Sequence, residues 1–192
     1  VQHISAYNLT VEPGTALHHL VKTGKSKPLN DEAGAEQFEM LINTLENNNF
    51  KHYEISSFGK EGYFSKHNSS YWKRKFYLGI GPSAHSFNGN TRQWNVANNA
   101  KYIKAINAGE VPFELEKLSK NDRYNEYILL GLRTIWGCEF DYVKSEFGEA
   151  WLLNLKKQLF NYSDQINIDK QSFSLNQKGK AFADRIASEL FV

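Results

Sequence analysis

The sequence predicts an α/β protein, with a parallel sheet in residues 1–115 and a small helical, winged-helix-like domain in residues 116–192. Three observations carry this reading. β-rich runs at His3–Val11 and Phe50–Phe58 flank an amphipathic helical run, the order that builds a βαβ unit. A third apolar run, Phe76–Ile80, continues the series. Beyond the connector Val111-Pro112-Phe113-Glu114, helical periodicity takes over, interrupted by one hairpin pattern.

In chain order, His3–Val11 (H-I-S-A-Y-N-L-T-V) alternates imperfectly and is stopped by Glu12-Pro13-Gly14-Thr15. Residues 15–30 read as a short helix or a mobile loop. Neighbouring positions on a helix point apart, so His18 and His19 are expected to face solvent and not a shared metal. Asn30 or Asp31 caps the next helix, whose Phe38, Leu41, Ile42 and Leu45 recur at helical spacing, and Asn47-Asn48-Asn49 ends it. Thr91–Gly109 is expected to hold a helix that buries Val96, Tyr102, Ile103 and Ile106, with Gly109 as its stop. Ser119 is the expected N-cap of a helix through Trp136, with Tyr124, Tyr127, Ile128, Leu132 and Ile135 on one side and Gly137 ending it. Asp141–Phe147 and Glu149–Phe160 read as two helices split by Gly148. Gln165–Asp169 and Ser172–Leu175 read as a hairpin, and Asn176–Leu190 as a last helix with Phe182, Ile186 and Leu190 spaced by four.

Charge is nearly balanced, 23 Lys+Arg against 21 Asp+Glu, which leaves no electrostatic footprint for nucleic acid or an anionic membrane. The helical end holds as many acidic as basic side chains, which argues against a DNA-binding winged helix. The single cysteine, Cys138, excludes an internal disulfide and a multi-cysteine metal site within these residues. It fits a reducing compartment, and a cytoplasmic location is the expectation. No transmembrane run or signal peptide is visible. A strand pattern starting directly at Val1 suggests that the sequence begins inside a larger protein. There is no H-x-H, H-E-x-x-H or Cys/His zinc spacing, and no serine in a nucleophile elbow.

Chemistry concentrates between His67 and Phe87. H-N-S-S-Y-W is polar and aromatic; Y-L-G-I-G-P-S-A-H-S-F reads as a strand that breaks into a turn of small residues. Glycines let a backbone approach a flat ligand closely, though a tight turn with satisfied histidines explains the same letters. His3 is expected to be structural. His85 either contacts a ligand or packs beneath the turn.

Taken together, H-I-S-A-Y-N-L-T-V-E-P-G-T, Y-E-I-S-S-F-G-K-E-G-Y, H-N-S-S-Y-W, Y-L-G-I-G-P-S-A-H-S-F and the later L-N-Q-K-G, in this order and spacing, resemble the later part of the radical S-adenosylmethionine (SAM) proteins related to oxygen-independent coproporphyrinogen III oxidase. H-N-x-x-Y-W resembles the haem-chaperone, HemW-type branch. The resemblance spans nearly the whole chain. It implies the last strands of a partial (β/α) barrel in 1–115, with the family's helical C-terminal domain after it. It implies a haem chaperone that hands haem to an acceptor protein; the alternative is the oxidase, which decarboxylates coproporphyrinogen III. It also implies SAM and a 4Fe-4S cluster in the full-length protein. By resemblance, Tyr7, Thr10, Gly79, Gly81, Ala84 and His85 lie on the SAM side. His67, Asn68, Tyr71 and Trp72 lie on the haem or porphyrin side, with His67 as an axial ligand or else a loop-holding residue. Lys66, Lys73, Arg74 and Lys75 meet propionates or form a solvated face. Two departures stand out. Glu61 replaces a frequent proline, and the cluster's C-x-x-x-C-x-x-C loop is missing, so these residues are expected to hold no cluster and to be inactive alone.

Overall fold

The computed structural model describes residues 1–7, 9–28 and 30–192. It is a mixed α/β protein whose residues gather into two compact units, Val1–Ser65 and Lys66–Val192.

The first unit holds β1 (His3–Ser5), α1 (Ala16–Lys22), α2 (Asp31–Asn47), β2 (Lys51–Glu54) and β3 (Ser57–Gly59), with sheet order β1-β3-β2. Both pairings are antiparallel, which overturns the parallel sheet expected from the βαβ pattern. The run Phe50–Phe58 is not one strand. It reverses at Ile55-Ser56, where the Glu54 carboxylate accepts from the Ser56 N–H at 3.2 Å, and its second arm inserts between β1 and β2. Alternation alone does not distinguish one strand from a tight hairpin of two. The expected strand His3–Val11 pairs only over His3–Ser5, and it runs through Asn8, which lies outside the described residues.

α2 starts where the sequence placed it. The Asn30 side chain accepts from the Glu32 and Ala33 N–H groups, satisfying donors that the first helical turn leaves open. Its apolar side meets the sheet as expected: Ile42, Leu45, Phe50 and Phe58 form the core, with Phe38, Leu41, Ile4 and Ala6 packed against it. The Tyr53 hydroxyl lies 2.7 Å from His3 Nε2 and accepts from the Ser65 N–H, so His3 is structural. Thr15 caps α1, on which His18 is half-buried and His19 exposed.

The second unit begins with α3 (Lys66–Trp72). It continues through β4 (His85–Phe87), β5 (Thr91–Asn95), α4 (Asn99–Asn107) and β6 (Phe113–Lys117), which form an antiparallel β4-β5-β6 sheet beside α4. The expected strand Phe76–Ile80 contributes one bridge, Tyr77 to Phe87. Beyond it the ladder fails, because the Gly79 N–H goes to the Ser86 hydroxyl. Residues Thr91–Asn95 are strand and not helix, as their Thr-Arg-Gln-Trp composition favours, and the helix waits for the Asn98 cap. α4 buries none of its residues, contrary to expectation; Ile103 and Ile106 are exposed.

The last part matches the sequence more closely. α5 (Lys120–Leu132) buries Tyr124, Ile128 and Leu132 and packs on α9 (Ala183–Glu189). α6 (Phe140–Phe147) and α7 (Glu149–Leu159) are split at Gly148. β8 (Ile166–Ile168) and β9 (Ser172–Leu175) make the hairpin, joined by β7 (Cys138–Glu139) in an antiparallel β7-β9-β8 sheet. The final helix is broken into α8 (Gln177–Lys180) and α9, because Phe182 leaves helical geometry just after Gly179 is pinned against the Gln165 carbonyl. Among the described residues, no helix is long and apolar enough to cross a membrane.

Candidate functional site

α3 carries the H-N-S-S-Y-W motif and presents it on two sides. His67 and Tyr71, four residues apart, share one face; their rings meet edge-on at 5.0 Å, and Tyr71 in turn meets Tyr77 at 4.8 Å. His67 is exposed, Asn68 half-buried. Trp72 turns away from this pair and lines a cleft of about 650 Å³. Its indole Nε1–H is buried with no acceptor among the described residues, and the Arg133 guanidinium lies 5.4 Å from its ring. Two residues past the helix, Arg74 takes a φ of 52° without being glycine, and its side chain points inward.

The basic residues at the two ends of α3 do not form one solvated face. Lys66 and Lys75 are exposed. Lys73 Nζ sits 4.0 Å over the Trp136 ring. Arg74 donates to the Tyr142 hydroxyl at 2.9 Å and lies 3.8 Å from Glu126, which also pairs with Arg92. Arg74 is therefore held by the protein itself and is not a free propionate partner.

The cleft forms where α3 and the Asn88–Asn90 turn meet α5, the Trp136-Gly137 corner and α6. Its walls are aromatic, from Trp72, Phe76, Tyr127, Trp136 and Tyr142. Arg123 is loosely held at its rim, 3.4 Å from the Asn90 side chain and 3.9 Å from Glu146. Tyr127 accepts from the Glu139 N–H at 2.7 Å, and burial pushes its phenol pKa upward. Sequence reading missed Arg123 and Trp136 as site residues. They meet Trp72 only through tertiary folding, and nothing local marks them.

The Gly79–His85 turn is open on one side and locked on the other. Ile80 and His85 are exposed, Ala84 is half-buried, and no atom stands near the place of a Cβ on Gly81, whose φ is +106°. At Gly79, by contrast, a Cβ would meet the His85 carbonyl oxygen at 2.1 Å, so that glycine serves the chain's own packing. The two glycine N–H groups go to Ser86 and Tyr102, and the two carbonyls accept from the buried Asn95 amide. His85 faces Trp94 across the strands at 6.2 Å between rings, and Trp94 donates to Glu114. Of the expected SAM-side residues, the second unit brings Gly79, Gly81, Ala84 and His85 together. Tyr7 and Thr10 are exposed residues of the first unit.

The donor set does not fit an iron–sulfur cluster. Cys138 is fully buried, its thiol pKa is pushed up by burial, and no group of three His, Cys, Asp or Glu side chains able to hold a metal occurs among the described residues.

No protein-family model matches the chain. Curated relatives do. The Heme chaperone HemW of Bacillus subtilis (strain 168) is 34% identical over 151 residues, 78% of this chain and 39% of that protein. The Heme chaperone HemW of Lactococcus lactis subsp. lactis is 30% identical over 183 residues, 90% of this chain and 48% of that protein. The mitochondrial Radical S-adenosyl methionine domain-containing protein 1 of Danio rerio is 41% identical over 83 residues, 43% of this chain and 19% of that protein. Among solved structures, coproporphyrinogen III oxidase (HemN) from Escherichia coli, described as a radical SAM enzyme, superposes with a TM-score of 0.59. The match covers 80% of this chain and 40% of that one, at 12% identity, and is a likeness of fold. The chain thus spans less than half the length of the HemW relatives it matches here.

Proposed function

Because this chain belongs to the HemW-type radical SAM family, we propose that it is part of a haem chaperone, a protein that binds haem and passes it to an acceptor protein. One observation carries the reading: α3 presents an exposed imidazole, His67, braced edge-on by Tyr71 on the helix that bears H-N-S-S-Y-W. An imidazole at a surface with one aromatic neighbour is suited to take haem iron as an axial ligand and to release it again. The oxidase alternative draws support from fold likeness alone, whereas the relatives alike in sequence over most of the chain carry the chaperone name.

On this reading residues 1–115 are the last strands of the radical SAM barrel, and 116–192 are the family's winged-helix-like domain. His67, Asn68, Tyr71 and Trp72 are the haem-side set, of which Trp72 turns from the His67–Tyr71 pair towards the cleft. Tyr7, Thr10, Gly79, Gly81, Ala84 and His85 form the SAM side of the full-length protein. The open face of Ile80 and the His85–Trp94 pair suit a flat adenine, but the glycine amides are already engaged, so recognition there rests on stacking more than on backbone hydrogen bonds. Radical chemistry depends on a cluster that these residues do not fit.

The test is a haemin titration of the chain followed in the visible spectrum. One haem ligated through imidazole is expected, and His67→Ala should abolish that spectral signature and weaken this binding by about tenfold or more. A wild-type chain that shows no ligated haem, or a His67→Ala spectrum identical to wild type, overturns the proposal.

A further inference from the structure

The cleft lies on the side of α3 away from His67. Three observations bear on what it takes. Its size falls inside the roughly 300–1,000 Å³ range of small-molecule sites. Its walls are aromatic, with Trp72 and Trp136 contributed by separate parts of the chain; one face of each indole already carries a cation, Arg133 on Trp72 and Lys73 on Trp136. At its edge two cations are available. Lys73 rests on a ring with no carboxylate partner among the described ion pairs, and Arg123 has only long contacts to Asn90 and Glu146. A buried Trp72 N–H without an acceptor among the described residues adds an unused donor.

The chemistry that is missing is equally informative. Among the described residues, no histidine, cysteine or methionine lines the cleft. Of its two tyrosines, Tyr127 is held in the neutral form by burial and Tyr142 accepts from Arg74. The cleft therefore lacks an axial ligand for haem iron. It offers stacking surface and positive charge, which suits a flat ring system carrying carboxylates whose centre is left untouched.

Resting on the haem-chaperone reading, we propose that this cleft is a second ring-binding site, which takes a planar, carboxylated tetrapyrrole without ligating a metal. Lys73 and Arg123 hold the carboxylates, and Trp72 and Trp136 flank the ring. α3 thus carries an iron-directed face at His67 and a ring-directed face at Trp72.

The probe is metal-free protoporphyrin IX, which cannot use an axial ligand, titrated into the whole chain and followed by quenching of tryptophan fluorescence. Its dimethyl ester, which lacks the carboxylates, serves as comparison. Wild type and His67→Ala are expected to bind protoporphyrin equally. Lys73→Gln with Arg123→Gln should weaken it by about tenfold, and the ester should bind wild type as weakly as the acid binds that double variant. Both substitutions fall on partly exposed side chains, and an unchanged melting curve checks that the variant folds. Equal binding by the double variant and wild type, equal binding of ester and acid, or no protoporphyrin binding by wild type overturns the second site. Loss of binding in His67→Ala overturns it as well. Haemin still ligated through His67 in those cases leaves the chaperone reading standing, so the two failures are distinguishable.

Discussion

Tyr124 is fully buried on α5, yet its hydroxyl has no hydrogen-bond partner among the described residues. An unmet buried hydroxyl is costly, so Tyr124→Phe should stabilise the second unit by about 1 kcal/mol in denaturant unfolding. The same burial, with the neighbouring Cys138 as a lesser cause, pushes the phenol from 10.0 to about 12. A raised acid is favoured protonated in the folded state. Its contribution to stability is therefore whole below pH 10 and is lost as pH rises towards 12. Stability measured across that window should fall less steeply in Tyr124→Phe than in wild type. Glycines make a second pair of predictions. Gly79→Ala drives a Cβ into the His85 carbonyl, a backbone atom that cannot step aside, and should cost about 2 kcal/mol. Gly81→Ala meets open space and carries only the penalty of its left-handed backbone, about 1 kcal/mol. Thermal melts of the two variants should rank in that order.

Among the elements, α5 offers the cleanest test of local reasoning. Ser119 and Asp122 form a reciprocal capping box, read correctly in the sequence at Ser119. Ser119→Ala should cost about 1 kcal/mol, measured by unfolding followed through helical circular dichroism. Asp122 owes its lowered pKa first to the Ser119 hydroxyl and then to the Ser119 backbone. Its contribution is present above pH 3.8 and lost as pH falls through the folded value, so the variant should show a weaker acid dependence there. α2, whose cap and apolar spacing lie within one stretch, and α6 and α7, which Gly148 divides, were legible. Strand pairing was not: the hairpin at Ile55-Ser56 and the single bridge at Tyr77 depend on partners that alternation does not name. The candidate site divides the same way. The motif helix was readable as a window of unusual letters. The cleft was not, because Arg123 and Trp136 reach α3 from across the fold, and because Arg74, one letter in a basic run, proves to be an interior side chain.

At the scale of the whole molecule, the donor inventory decides what the chain assembles. Reconstitution with iron and sulfide should leave no cluster absorbance, and addition of SAM with a reductant should yield no cleavage of it; a cluster spectrum would overturn the assignment of donors. Cys138 explains part of this from the inside. Its sulfur fills the space that Gly131 vacates, at 2.3 Å from where a Cβ would stand, and burial keeps the thiol protonated. A side effect is practical. With its native sulfhydryl walled off, the folded molecule is blank to maleimide dyes, so a cysteine installed on an exposed turn, Ser83→Cys for instance, would be the sole attachment point for a fluorophore or spin label reporting on the arrival of a ring.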